Sequence, residues 1–254
     1  MERNYYLEYY DFERRHWWFR ARKEIIRSLI IKYTEYQVIP QLRILNIGAA
    51  TGSTSIMLGE FGHVTSVEYD KECCEFLADK VGIIAVNASI ENLPFDNDYF
   101  DMVCAFDVIE HVADDLKAMS EMKRVSKQNG VLFITVPAFM FLWSHHDDVN
   151  HHYRRYTLSQ LKLLSSSNKL KVEFNSYFNF FLFFPIAFYR LSISRIFKTR
   201  KGAGSDFEIN SKSRFLNDIF FKIFKFEEKI ITRSKLPVGV SIISVLRKVT
   251  SSGQ

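Results

Sequence analysis

Apolar and polar positions along this chain fall into two alternating rhythms. Leu42-Arg43-Ile44-Leu45-Asn46-Ile47 places four apolar residues within six positions, the pattern of a buried strand. Gly48 and Gly52, with Ala49, Ala50 and Thr51 between them, then form a tight turn into a helix. The same rhythm predicts strands near 42–47, 63–68, 83–87, 100–105 and 130–136, and helices near 53–60, 71–80, 114–127 and 157–167. Short apolar strands separated by helices predict an α/β fold with a doubly wound parallel sheet. Ligands on such sheets bind beyond the carboxyl ends of the strands, which directs attention to 46–52, 68–70, 89–93, 107–111 and the residues after Pro137. Small residues in the first turn let a ligand approach the backbone and the first helical N–H groups. Glu68, 16 residues after Gly52, ends the second strand where a carboxylate can accept hydrogen bonds from two ribose hydroxyls.

The pattern divides the chain into four parts: an N-terminal helical lid over 1–41, a core over 42–176, a helical, aromatic and basic insertion or cap over 177–239, and a last strand with a tail over 240–254. In the first part Ile25, Ile26, Leu29 and Ile30 lie on one helical face, and the helix is expected to end before Pro40. Trp17, Trp18 and Phe19 either pack on the core or cover the glycine turn, with Arg20 or Arg22 meeting a carboxylate or phosphate. In the insertion, Tyr177 to Tyr189 is aromatic throughout but shorter than the roughly 20 residues a bilayer-spanning helix needs. Arg190, Arg195, Lys198, Arg200 and Lys201 make its continuation basic, and Gly202-Ala203-Gly204-Ser205 breaks it. A second amphipathic helix follows from Phe215 to Ile231. The two helices are expected to roof the site, to pack on the sheet or on a second copy, or to admit an apolar substrate at an anionic membrane surface.

Composition narrows the function. The chain has 254 residues, 47% hydrophobic and 25% charged, with a net charge of +5. That charge is below what a dedicated nucleic-acid binder carries, and no dense Lys/Arg stripe compensates, so nucleic acid is not an expected partner. Cys73, Cys74 and Cys104 offer no disulfide framework, and the opening Met-Glu-Arg-Asn-Tyr-Tyr has no apolar signal core. A cytoplasmic location is expected, extending to peripheral contact at the inner membrane surface. Oligomeric state is open.

Taken together, Asn-Ile-Gly-Ala-Ala-Thr-Gly (46–52), Val-Glu-Tyr-Asp (67–70), Glu-Asn-Leu-Pro-Phe (91–95), Tyr-Phe-Asp-Met-Val (99–103), Asp-Val-Ile-Glu-His-Val (107–112) and Lys-Gln-Asn-Gly-Val-Leu-Phe-Ile-Thr-Val-Pro (127–137) resemble the class I S-adenosylmethionine-dependent methyltransferases. The likeness is to their small-molecule branch, which includes quinone-biosynthesis enzymes. It implies a Rossmann-like seven-stranded sheet whose last strand, near 240–249, is antiparallel and lies beside one at 171–176. It assigns Asn46, Gly48, Ala49, Ala50, Thr51 and Gly52 to the methionine and sugar part of S-adenosyl-L-methionine. It likewise assigns Glu68 to the ribose, Tyr69, Ser89 and Ile90 to the adenine, and Asp107 to the methionyl end. Asn46 departs from the usual acidic residue, Ser89 from a frequent Asp, and Ala50 from a middle glycine, so Ala50 is expected at negative φ. A nicotinamide dinucleotide fits less well, because its second and third fingerprint glycines would fall on Ala50 and Ser53.

Residues 142–157 carry four of the seven histidines, at 145, 146, 151 and 152. They resemble an Asp…His-x-Arg-Arg-Tyr segment of methyltransferases associated with surface-polysaccharide or glycolipid pathways. On that likeness Asp147, His152, Arg155 and Tyr156 correspond, ahead of a helix capped near Thr157. No metal is expected in this loop: it has no closing Cys or distant Glu, and Arg154 and Arg155 would repel a cation. Methyl transfer needs an aligned nucleophile and, for a hydroxyl acceptor, a base. His152 is the first choice and His111 the second; a carboxylate acceptor would need no base and would be oriented by arginine. The expected function is methyl transfer to a small molecule such as a sugar, glycolipid or lipid-linked precursor. The alternative is a related protein that binds the cofactor without turnover and serves as a partner.

Overall fold

The computed structural model describes residues 3–34, 41–193 and 214–249. Its centre is a seven-stranded sheet in the order β3-β2-β1-β4-β5-β7-β6. The strands are β1 (Leu42–Ile47), β2 (Gly62–Glu68), β3 (Val86–Asn87), β4 (Phe100–Phe106), β5 (Ser126–Pro137), β6 (Leu170–Phe178) and β7 (Ser241–Lys248). β1 pairs in parallel with β2 and β4, and β4 with β5, while β7 runs antiparallel between β5 and β6. This is the Rossmann-like sheet with one reversed strand that the resemblance implied. Strand order reverses between β1 and β4, so the crevice at that point is the natural ligand site.

Alternation along the strands divides the core between two faces. In β5, Leu132, Ile134 and Val136 face one side. There they meet Met119 and Met122 of α5 (Asp115–Val125) and Leu161 and Leu164 of α7 (Leu158–Ser167). Val131 and Phe133 face the other, with Ile25, Ile26, Leu29 and Ile30 of α2 (Trp17–Tyr33) and Met57 and Leu58 of α3 (Ser53–Leu58). Caps set the helix starts. The Asp114 side chain accepts from Lys117 N, and Thr157 with Gln160 forms a reciprocal capping box. Ahead of α2 lies α1 (Arg3–Arg15), whose Tyr6 packs with Cys73 and Phe76 of α4 (Lys71–Phe76).

Some boundaries shift. The helix expected over 71–80 widens after Phe76 into a π turn over Leu77–Val81, ended by Gly82 in the left-handed region. β3 keeps two residues, and β5 begins at Ser126 because that residue pairs with Phe100 across a bulge. α2 is capped by Thr34; Pro40 lies outside the described residues.

Of the alternatives for the insertion, the long helix packs against the fold and the short one lies at the cleft. The long helix α9 (Arg214–Ile231) lies along α2, bound through Asn217 Oδ1 to Trp17 N at 2.8 Å and Glu228 Oε1 to Ser28 Oγ at 2.6 Å. Phe224 and Ile231 enter the core, and Phe220 is the α9 residue that reaches the cleft. The short helix α8 (Phe183–Phe188) overhangs the cleft instead, with Phe184 and Phe188 exposed. Arg195, Lys198, Arg200, Lys201 and the break at 202–205 lie outside the described residues. Among the described residues no helix is long and apolar enough to cross a membrane.

Candidate functional site

A cavity of about 1400 Å³ opens over the carboxyl ends of β1, β2, β4 and β5. Single-ligand pockets run to roughly 1,000 Å³, so this one has room for two. Gly48, Ala50 and Thr51, then Glu68 and Tyr69, Ser89 and Ile90, and Asp107 and Val108 supply one half of its wall. His111, His152 and Arg155 stand in the other.

The first turn is held open by backbone geometry. Gly48 has φ +73°, and a Cβ there would lie 2.5 Å from the Val108 side chain. Ala50, expected at negative φ, is in fact left-handed at φ 46°. Its N–H donates to Glu68 Oε2 at 3.0 Å, which fixes the turn against the cost of that conformation. Asp107 and Phe139, just after β4 and β5, are left-handed too, so non-glycine strain collects at the same sheet edge. Asn46, Ala49 and Gly52 do not reach the cavity wall. Asn46 is fully buried and donates to Thr54 Oγ1 and Ser55 Oγ, tying β1 to α3, and a side chain on Gly52 would meet Leu77, Val81 and Ile83.

The donors fit S-adenosylmethionine. Glu68 accepts from Ala50 N, Tyr69 N and Asp70 N, using three of a carboxylate's roughly four acceptor positions and leaving capacity for a ribose hydroxyl. In the same wall Tyr69 is 78% exposed and Ile90 is buried. Glu13, Glu68, Asp70, Asp107 and Glu110 make this wall predominantly acidic, which suits a sulfonium and an ammonium group.

α1 and α2 close over this half. Thr51 Oγ1 donates to Glu13, Arg14 Nη2 donates to Thr51 O at 3.1 Å, and Tyr6 OH donates to Asp70 Oδ2 at 2.8 Å. Burial raises the Glu13 carboxyl's pKa, offset in part by the Thr51 hydroxyl. Arg22 reaches Asp107 Oδ2 at 2.6 Å, with its guanidinium over the Trp18 ring. Trp17 both packs into the core and, like Trp18 and Phe19, lines the cavity, so the two readings of the aromatic triplet hold together.

In the other half the structure gathers Asp147, His152, Arg155 and His111. Asp147 is fully buried, beneath the cavity wall. Its carboxylate receives two hydrogen bonds from Arg155 at 2.8 Å, one from Ser144 N and one from His152 Nδ1, each also at 2.8 Å. Burial alone would raise this carboxyl, but the bonds from His152 and Arg155 outweigh it and hold it well below the usual range. Arg155 is thereby spent, its Nη1 going to Ala138 O, and cannot steer an anionic substrate. Tyr156 is a correction: its hydroxyl donates to Asp115 Oδ2 at 2.8 Å inside the core, away from the cavity. It ties the histidine loop to the start of α5.

His111 Nδ1 bonds Asn150 O at 2.8 Å, and its ring stands perpendicular to that of His152 at 4.5 Å. Burial, with His152 adding to it, pushes the pKa of His111 down to about 4, so it is neutral at pH 7. Near both rings, Glu110 is completely buried, and neither of its carboxylate oxygens has a hydrogen-bond partner among the described residues. Burial, then Asp107, raises its pKa well above the ordinary value. Glu110 belongs to the 107–112 motif without a role read from it. Its signal is a carboxylate following apolar Val108 and Ile109, with a histidine rather than a lysine or arginine beside it.

The geometry agrees with comparisons to known proteins. Residues 45–134 match the family model described as a methyltransferase domain. The ubiquinone/menaquinone biosynthesis C-methyltransferase UbiE of Vibrio vulnificus is 34% identical over 106 residues, covering 37% of this chain and 41% of its own. The uncharacterized methyltransferase YcgJ of Bacillus subtilis is 30% identical over 162 residues, covering 58% and 63%. The chain thus spans about two fifths of the UbiE length. Among solved structures, phosphoethanolamine N-methyltransferase 2 of Haemonchus contortus, in complex with S-adenosyl-L-methionine, superposes with TM-score 0.54 at 17% identity, over 83% of this chain and 49% of that one. Sheet order, glycine turn and family match agree on a Rossmann-like sheet whose residues 45–134 match a methyltransferase domain.

Proposed function

We propose that the protein transfers the methyl group of S-adenosylmethionine to an oxygen of a small, partly apolar acceptor. The observation that carries this reading is the two-part cavity, with a cofactor-shaped half at Gly48, Glu68, Ile90 and Asp107 and a histidine-lined half opposite. The bound cofactor supplies an activated methyl group. The chain's own residues have three tasks. Glu68 and the first turn position the sugar; α1 and α2 exclude water; and His152, held in one tautomer by Asp147, presents Nε2 to take the acceptor's proton. His111, neutral and alongside, is the second candidate.

A lipid-linked or glycolipid acceptor, met at a membrane surface, is the preferred class. Support comes from the apolar lip formed by Leu182, Pro185 and Ile186 and from the exposed Phe184 and Phe188 next to it. Methylation of a carbon, as the name C-methyltransferase states for UbiE, is the second reading. A cytoplasmic location goes with both.

The test combines calorimetry with single-turnover methyl transfer to water-soluble and lipid-linked acceptors. Glu68→Ala should weaken cofactor binding by about 1.5–3 kcal/mol, the range for a charged hydrogen-bonding group. His152→Ala should leave cofactor affinity nearly intact and lower turnover roughly 10²–10⁴-fold. Parental turnover in a folded His152→Ala protein would remove that residue from the chemistry. Cofactor binding with no methyl loss to any acceptor would favour the non-catalytic partner instead.

A further inference from the structure

We infer that Glu110, His111 and His152 form a binding site for one divalent first-row transition-metal ion at the acceptor end of the cavity. One donor atom from each residue lies within 4.8 Å of those of the other two. Metal–ligand bonds of about 2.0–2.2 Å put bound donors at most roughly 4.4 Å apart, so a movement of a few tenths of an ångström closes the set. Sequence position hides the group, since the third ligand lies 41 residues after the second. Two backbone features assemble it: the 3₁₀ turn Ile109–His111 after β4, and a hydrogen bond from Tyr153 N to Glu110 O that draws the histidine loop over that turn.

Three further observations point to a cation. Glu110 is fully buried with both oxygens unmatched, an arrangement whose cost falls sharply if a positive ion sits between it and the rings. Each imidazole already has its Nδ1 engaged, His111 with Asn150 O and His152 with Asp147 Oδ1, leaving Nε2 as the ligating atom. A carboxylate or carbonyl on the far nitrogen is the usual support of a metal-bound histidine. The two arginines that argued against a metal in the loop are neutralised: Arg155 lies on Asp147, and Arg154 pairs with Asp115 at 2.8 Å.

Two imidazoles and one carboxylate suit Mn²⁺, Fe²⁺, Co²⁺ or Zn²⁺ better than Mg²⁺ or Ca²⁺, which prefer all-oxygen surroundings. Three protein ligands leave positions open toward the cavity, where an acceptor with two adjacent oxygens, such as a vicinal diol or a hydroxyl beside a carbonyl, could bind both to the ion. That role rests on the methyl-transfer reading; the site itself does not. With the ion bound, His152 would act on the acceptor through the metal rather than directly. Loss of turnover in His152→Ala does not distinguish the two arrangements, whereas ion binding does.

The experiment is titration of chelator-treated full-length protein with Mn²⁺, followed by electron paramagnetic resonance, and with Co²⁺, followed by visible absorption, in the absence of any acceptor. One ion per chain should bind, with Mg²⁺ at least tenfold weaker. Glu110→Gln and His111→Gln, checked for folding by circular dichroism and cofactor binding, should each weaken Mn²⁺ at least tenfold, while His63→Gln on the exposed surface of β2 should not. Absence of stoichiometric binding, or equal binding in parent and Glu110→Gln, would overturn the site while leaving methyl transfer untouched. Failure of methyl transfer with normal ion binding would overturn the acceptor role alone.

Discussion

Arg22 and Asp107 form the pair on which closure of the cofactor half depends. Replacing Arg22 by Met keeps the aliphatic stem against Trp18 and removes the charge. Arg22 is buried and sits 2.6 Å from a carboxylate whose side chain is 24% exposed. Removing one member of a buried pair costs about 3–5 kcal/mol because the other charge is left unmatched. Partial solvation of Asp107 places this case near the lower end, at about 3 kcal/mol. For a chain of this size each kcal/mol shifts Tm by roughly 2–4 °C, so Arg22→Met should melt about 6–12 °C below the parent. The cost comes from a stranded carboxylate, so Asp107→Asn should cost much less in the Arg22→Met background than in the parent. Saturating cofactor, at a hundred times Kd, should restore up to about 2.7 kcal/mol. The assay is a double-mutant cycle by scanning calorimetry with and without cofactor. A shift under about 2 °C, or strictly additive losses, would refute the argument.

Two other expectations concern stability. Ala50→Gly should raise stability by about 0.5–1 kcal/mol in urea melts, since left-handed alanine costs about 1–2 and glycine's chain entropy returns about 0.5–1; an unchanged midpoint would mean the turn is unstrained. Burial raises the pKa of Glu227 from its ordinary 4.5 to about 7, against backbone N–H groups near Phe181 that lower it. The folded state therefore favours the proton, so this group's contribution is fully present below pH 4.5, is lost as pH rises toward 7, and amounts to about 3 kcal/mol. Glu227→Gln should remove that decline, measured by urea melts at pH 5 and pH 8, and parallel pH profiles for both proteins would contradict it.

The sheet was legible because its strands are apolar runs bounded by glycine or acidic residues, as at Leu42–Ile47 and Phe100–Phe106. That Gly48, Glu68 and Ile90 line one cavity was legible for a similar reason, since they follow strand ends and a strand end fixes where the next residues lie. Backbone conformation at Ala50 was not, because a side chain as small as alanine leaves no composition signal for φ. Nor was Tyr156 separable from Arg155 by type: one turns to Asp115 in the core and the other to Asp147, and only three-dimensional packing decides which. Thr51's tie to Glu13 and Arg14 was hidden because α1 shows no apolar stripe strong enough to announce where it docks. Glu110 was visible as a letter and silent as chemistry, since a carboxylate's solvation depends on what the fold places over it.

The position of β7 has a consequence for how the chain comes into being. β7 lies between β5 and β6 and is antiparallel to both, although it is made last of the three. Until residues 241–248 leave the ribosome, β5 and β6 each present an unpaired edge in a segment rich in Phe, Val and Ile, and the histidine-lined half of the cavity has no fixed wall behind Pro137. Exposed edges of that kind recruit other strands. A nascent chain that stalls before residue 241 is therefore sticky and incomplete together, and the sheet closes by inserting one strand into a gap whose two sides were built earlier.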